Sequence, residues 1–243
     1  MSLTVLALLP ELLDANGDSR NAEVLVARAR WAGLDATLVP VANARELPAE
    51  AHAIVVGSGS DAALGRTRDL LLGMQDALRH WTTDGVPLLA VGTGMELLSW
   101  GVELPGGSAI EGLGILPGRA APRDARATGD LVVKSRYGTL VGFENHSRDY
   151  LGAEGSPLGR VLAGEGNGRG SGQEGVVMGS AFGTHLHGPI LAKNPRFADY
   201  LLGLAAERAG VAYATGERSR EVDVYARDAR AGILNGLGIA DDA

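Results

Sequence analysis

The stretch from Pro87 to Ser99, PLLAVGTGMELLS, limits the possible folds of this chain more than any other. Leu88 to Val91 is a short apolar run of the kind buried in the middle of a sheet, Gly92-Thr93-Gly94 imposes a sharp turn, and Met95, Leu97 and Leu98 open a helix. A strand, a tight turn and a helix in that order form an elbow. Its turn residue sits in strained backbone geometry at the tip of a sheet, with an exposed side chain, and the next N–H is free to face a developing negative charge. In this chain the turn residue is glycine. Lacking a Cβ, glycine relieves the strain and also removes the reacting atom.

Runs suited to a parallel sheet surround the elbow. Leu3 to Leu9, Ala36 to Val41 and Ala53 to Val56 are continuous or nearly continuous apolar segments, as expected for strands covered on both faces. Between the first two lies the polar segment Asp14 to Asn21, where Asp18 or Asn21 is expected to cap a helix carrying Val24, Leu25, the stem of Arg28 and Trp31, stopped by Gly33. Asp14, Asp18, Arg20 and Asn21 lie past the C-terminal end of a strand, the place where α/β folds hold ligands, although capping and loop solvation account for them equally well. After Val56, Gly57-Ser-Gly-Ser-Asp61 lets backbone N–H groups approach a ligand closely. Leu70, Leu71, Met74, Leu78 and Trp81 then keep helical spacing. The order reads β-α-β-β-α-β-α, a doubly wound α/β pattern in a single domain spanning residues 1–243.

From Gly112 onward the texture changes. Leu131 to Lys134, Leu140 to Phe143, Val176 to Met178 and Gly183 to Leu186 are short β-prone segments between glycine-rich turns, which predict an antiparallel extension of the sheet. Gly164 to Gly175, GEGNGRGSGQEG, reads as a flexible surface loop. Asn194-Pro195 begins a helix running to about Gly210, and Glu221 to Leu237 is a last amphipathic helix.

Composition excludes several classes of function. The net charge of −7 and the absence of a basic stripe argue against nucleic-acid binding. There is no cysteine among the 243 residues, so disulfides, thiolate-bound zinc and thiol catalysis are all excluded. The N-terminus lacks a basic region before its short apolar run, and no other run reaches membrane-spanning length, so a soluble cytoplasmic protein without membrane insertion is expected.

Four segments carry a resemblance when taken together in order: the elbow at Gly92, the Gly57 to Asp61 loop, LVGFENH (Leu140 to His146), and GTHLHGP (Gly183 to Pro189), with Glu174-Gly175 and Asn194-Pro195 alongside. In this arrangement the chain resembles the class I glutamine amidotransferases of the cobyric-acid-synthase type, and more closely the glutaminase subunits of lipid II isoglutaminyl synthases. The resemblance implies a three-layer, mostly parallel α/β sheet. It also implies a Mur-ligase-like synthetase partner, glutamine or a small amide as ligand, no cofactor, no metal, and a role in amidating D-glutamate of peptidoglycan. In that family an elbow cysteine attacks the glutamine amide through a thioester, and a histidine matching His187 is its base. The oxyanion donors would be the N–H of Thr93 and one from the Gly57 to Gly59 turn, and Arg126 is the candidate for a charged end of glutamine.

The departures from the family pattern decide the expected activity. Where the family reads C-G-G-Y-Q, this chain reads Gly92-Thr93-Gly94-Met95-Glu96, and the tyrosine usual before Leu186 is His185. Loss of an essential nucleophile typically costs roughly six orders of magnitude in rate. Thr93 lies one place past the turn, and Ser58 and Ser60 lie on the facing loop; none is expected to substitute. Glu96 is expected to be favoured by the helix dipole, His146 to be a structural hydrogen-bonding residue, and His52 and His80 to lie at the surface or at helix ends. His185 and His187 alternate, so only one should reach the elbow. Three readings follow: an amidotransferase-like subunit that has lost hydrolysis, an active glutaminase with an unrecognised or partner-supplied nucleophile, and a module that binds glutamine without cleaving it.

Overall fold

The computed structural model describes residues 2–241. A first sheet runs in the order β11-β12-β4-β3-β1-β2. Its strands are β1 (Leu3–Leu8), β2 (Ala36–Val41), β3 (Ala53–Val56), β4 (Leu88–Val91), β11 (Val176–Met178) and β12 (Ala181–Thr184). All neighbours pair in parallel except β11, which pairs antiparallel with β12 at the edge. The parallel strands are apolar because both faces are covered. One face packs Ile54, Leu88 and Ala90 against Leu71, Met74, Leu78 and Trp81, and the other packs Val55, Leu89 and Val91 against Leu25, Phe182, Phe197 and Leu201. The result is an α/β fold with helices on both sides of a mostly parallel sheet.

The helices are α1 (Asn21–Trp31), α2 (Leu64–Leu72), α3 (Gln75–Thr83), α4 (Thr93–Leu98), α5 (Ile190–Lys193), α6 (Pro195–Arg208) and α7 (Glu217–Leu237). The single helical pattern over Leu70 to Trp81 is divided between α2 and α3, which meet at Gly73 and Met74. Met74 keeps its core position across the break. No helix among the described residues is long and apolar enough to cross a membrane.

The antiparallel segments do more than extend this sheet. β7 (Arg119–Ser135) and β8 (Gly138–Leu151) form a long hairpin, joined by β5 (Gly101–Glu103), β6 (Ala109–Glu111), β9 (Gly159–Ala163) and β10 (Gln173–Glu174) into a second six-stranded sheet. Only β11 adds an antiparallel strand to the first sheet. The two sheets are tied near the elbow by an isolated bridge in which the His187 N–H donates to the Phe143 carbonyl at 2.8 Å.

Several local expectations are corrected by the packing. Gly164 to Gly175 is anchored in the fold, since buried Asn167 exchanges hydrogen bonds with the backbone of Gly175 in both directions, at 3.0 and 2.8 Å. Arg28 is buried to its tip, where its guanidinium meets Asp199 at 2.8 Å and Asp223 at 2.6 Å. His52 is also buried, and its Nδ1 accepts the Thr4 N–H. His80 is exposed on α3, as expected.

Candidate active site

The elbow forms as its sequence requires. β4 ends at Val91, α4 begins at Thr93, and Gly92 between them has φ 51° and ψ −117°, a conformation that L side chains seldom adopt. Gly94 must also be glycine, because a Cβ there would lie 2.5 Å from the Gly57 carbonyl. A Cβ placed on Gly92 would point at two groups, the Ser58 hydroxyl at 2.7 Å and Cε1 of His187 at 2.8 Å. The imidazole of His187 and the turn residue of the elbow are therefore adjacent, although 95 positions apart in sequence.

His187 has a partner that sequence reasoning did not assign. Its Nδ1–H donates to Oδ2 of Asp18 at 2.7 Å, and both side chains are buried. Neither Asp18 nor Asn21 caps α1 with its side chain. Asp18 holds the imidazole, while Asn21 Oδ1 accepts the Leu191 N–H and its Nδ2 donates to the Asp18 carbonyl. With Nδ1 committed, Nε2 of His187 is buried without any protein partner. A carboxylate, an imidazole with one free nitrogen, and an elbow lie together in the geometry that acyl-transfer sites use for an orienting group, a base and a nucleophile.

The cleft over this site has a volume of about 280 Å³ and is bounded by Ser58, Gly59, Gly92, Thr93, Arg126 and His187, with Asn145 and Arg148 at its far wall. Arg126 is exposed, and its Nε–H donates to Asn145 Oδ1 at 2.7 Å. Of the two glycines considered as oxyanion donors, Gly59 lines the cleft; Gly57 sits behind it, accepting the Gly94 N–H through its carbonyl. Both are glycine because a Cβ would come within 2.0 Å of the Leu13 carbonyl at 57 and 2.4 Å of the Leu12 carbonyl at 59. Thr93 turns its hydroxyl away from the base, donating to the Gly59 carbonyl at 3.0 Å.

A set of ionic contacts lines the same cleft. Glu96 is 2% exposed and faces Arg148, whose Nε lies 3.0 Å from its carboxylate and whose Nη2 reaches Asp61 at 2.7 Å. An ion pair therefore holds Glu96, a stronger reason for its position than the helix dipole. The Arg148 guanidinium holds the Asp61 carboxyl below its ordinary range. His146, which also lines the cleft, bridges the Arg148 carbonyl at 2.6 Å and Glu144 at 3.2 Å. It stacks on His185, with ring centroids 4.2 Å apart. His185 in turn faces Glu174 at 3.0 Å, so His185 and His187 serve different partners and only His187 reaches the elbow. Burial alone would raise the carboxyls of Glu144 and Glu174. The bonds from His146 and the Glu165 and Gly166 N–H groups to Glu144, and the charge and bonds from His185 and Thr184 to Glu174, outweigh it and leave both below their ordinary value.

Comparison with known structures defines the class. The fold is similar to a crystal structure of a glutamine amidotransferase (TM-score 0.55, 21% identity, covering 82% of this chain and 98% of that one). It is also similar to PurLQS from Thermotoga maritima (TM-score 0.53, 13% identity, 77% and 88%). The architecture is thus that of a glutamine amidotransferase domain. More specifically, residues 21–195 match the CobB/CobQ-like glutamine amidotransferase domain, and the chain belongs to that family. It is 33% identical over 228 residues, 93% of each chain, to the GatD subunit of the glutamine-hydrolysing lipid II isoglutaminyl synthase of Staphylococcus aureus strain N315. It is 28% identical over 211 residues, 85% of this chain and 81% of the other, to the corresponding Streptococcus pneumoniae R6 subunit.

Proposed function

We propose that this chain is a subunit of the lipid II isoglutaminyl synthase type that has lost glutamine hydrolysis and works in the cytoplasm as the partner of a Mur-ligase-like synthetase. The observation that carries this reading is Gly92. The turn residue of a well-formed elbow has no side chain, while the imidazole that would serve it is still held by Asp18. Orientation and base are in place, and the atom that would form a thioester is missing. Ammonia release from glutamine, measured with the chain alone and with the Mur-ligase-like product of a neighbouring reading frame, should stay at background. Turnover above background that vanishes in His187→Ala would refute the loss of hydrolysis. Failure of the two chains to co-purify would refute the partnership.

The unpartnered Nε2 of His187 favours a second reading, binding without cleavage. A buried acceptor facing a cleft is satisfied by a ligand N–H, and a primary carboxamide supplies one. In this reading Arg126 would pair with the carboxylate of glutamine. Calorimetry with glutamine against glutamate tests it. A nucleophile from another residue or from the partner would instead appear as a covalent adduct with a glutamine-analogue electrophile.

A further inference from the structure

The space vacated at the elbow is not empty. Ser58 reaches into it from the facing loop, and its Oγ stands 2.7 Å from where the first side-chain atom of residue 92 would begin. The backbone of Ser58 is fixed, since its carbonyl accepts the Ala15 N–H at 2.8 Å and the two residues form a bridge. Gly57 and Gly59 on either side tolerate no Cβ, so Ser58 contributes the one side chain this turn presents at the elbow.

The hydrogen bonds of that hydroxyl can be assigned. Thr93 has a single hydroxyl proton, which goes to the Gly59 carbonyl at 3.0 Å. In the 3.2 Å contact between the two hydroxyls, Ser58 is therefore the donor and Thr93 Oγ1 the acceptor. The Thr93 N–H donates to Ser58 Oγ at 3.2 Å. The serine proton is thus committed to Thr93 and none is shared with His187, whose Nε2 has no partner. Ser58 is not wired as a nucleophile. The N–H that would stabilise an oxyanion is occupied by the serine itself.

We infer that Ser58 is a resident occupant of the elbow, one that fills the space a side chain at 92 would take and holds the Thr93 N–H, so that a thiol restored at Gly92 alone would stay hindered by Ser58. The inference rests on the proposed loss of hydrolysis and gives it a second cause. A cysteine at 92 alone would be squeezed between the Ser58 side chain, whose Cβ is also only 3.1 Å from the new Cβ, and the ring of His187 held by Asp18. Rotating the serine hydroxyl away would not remove its Cβ from that contact.

The test uses the absence of native cysteine, which makes an introduced thiol the only one in the chain. Gly92→Cys and Gly92→Cys/Ser58→Gly are treated with iodoacetamide at pH 7, and alkylation is followed by mass spectrometry. The thiol proton passes to Nε2 of His187, the thiolate sulfur displaces iodide, and an S–C bond forms. The double variant should react at least tenfold faster than the single one, and adding His187→Ala should abolish the difference. Equal rates, or a faster single variant, would overturn the inference. A second measurement needs no cysteine: in Ser58→Ala the Thr93 amide should exchange with solvent at least tenfold faster than in the parent chain, and unchanged exchange would overturn it. Glutamine hydrolysis by the parent chain would sink the proposed loss of activity instead, and it is read separately from either rate.

Discussion

Truncating either half of the Asp18–His187 pair should reveal how much of a catalytic arrangement survives as structure. Asp18 has no exposed surface, its Oδ2 receives the imidazole Nδ1–H at 2.7 Å, and its Oδ1 receives the Gly188 N–H at 3.4 Å. In Asp18→Ala the imidazole keeps no side-chain partner on either ring nitrogen; in His187→Ala the carboxylate stays buried with one long backbone bond. A hydrogen bond to a charged group contributes about 1.5–3 kcal/mol, and the group left behind adds its own desolvation cost of about 1–3 kcal/mol. Each single change should therefore cost about 2.5–6 kcal/mol, the sum of the lost bond and the stranded partner. The double change removes both poles at once, and the cavity contributions shared with the single variants largely cancel. The coupling energy should be about 2–3 kcal/mol. Urea unfolding of all four proteins at pH 7 with a common m value measures it. Coupling below about 0.5 kcal/mol, the scatter of independent sites, would refute the claim that the two side chains form one buried unit.

Three further outcomes follow from other parts of the molecule. Arg28→Met leaves Asp199 and Asp223 facing each other without their shared cation. It should cost about 3–5 kcal/mol, which for a chain of this size lowers Tm by about 6–20 °C; a shift under 2 °C would refute the role of this pair. Because the Glu174 carboxyl sits below its ordinary 4.5, the unfolded chain binds its proton more tightly than the folded one. Its stabilisation is complete above pH 4.5 and is lost as pH falls through the folded value. Glu174→Gln should therefore flatten the fall of Tm between about pH 5 and pH 3, and an unaltered slope would refute this account. Gly57→Ala puts a Cβ 2.0 Å from a backbone carbonyl that cannot rotate away; it should cost more than about 2 kcal/mol, whereas Gly106→Ala, with open space around it but a positive φ, should cost about 1 kcal/mol, both read by thermal unfolding.

Legibility in the sequence follows the range of the interaction. β3 and β4 have the boundaries their apolar runs indicate, because a strand covered on both faces leaves its pattern in adjacent residues, and the apolar run of the edge strand β2 marks its bounds as well. The elbow was readable for the same reason. The second sheet was not, because the hairpin of β7 and β8 is set by pairing over many residues, and β7 carries the polar run Arg123 to Arg126 where its register shifts. The Gly164 to Gly175 loop is polar and glycine-rich, yet it is closed on itself by Asn167 and Gly175 and held to the hairpin by Glu144, more than 20 residues away. Asp18 shows the same limit at the site. Aspartate just before a helix reads as a cap, and nothing local distinguishes a cap from a carboxylate whose partner lies 169 residues away. His187 was reached through the motif around it and not through its own surroundings.

The elbow residue and the imidazole beside it differ in how much of the fold depends on them. The backbone of His187 joins the two sheets through Phe143, its ring closes on Asp18 at the start of α1, and Gly188 next to it also reaches Asp18. Losing the imidazole would therefore strand a buried carboxylate at a junction of three elements, an expense of several kcal/mol in a fold whose margin is about 5–15 kcal/mol. The side chain at 92 has no such duty. A side chain there would leave a strained turn toward Ser58 and His187, and glycine relieves that strain. If the chain serves in assembly, as proposed, the side chain at 92 is the one whose removal costs the fold least, and the imidazole of His187 the one whose removal costs it most.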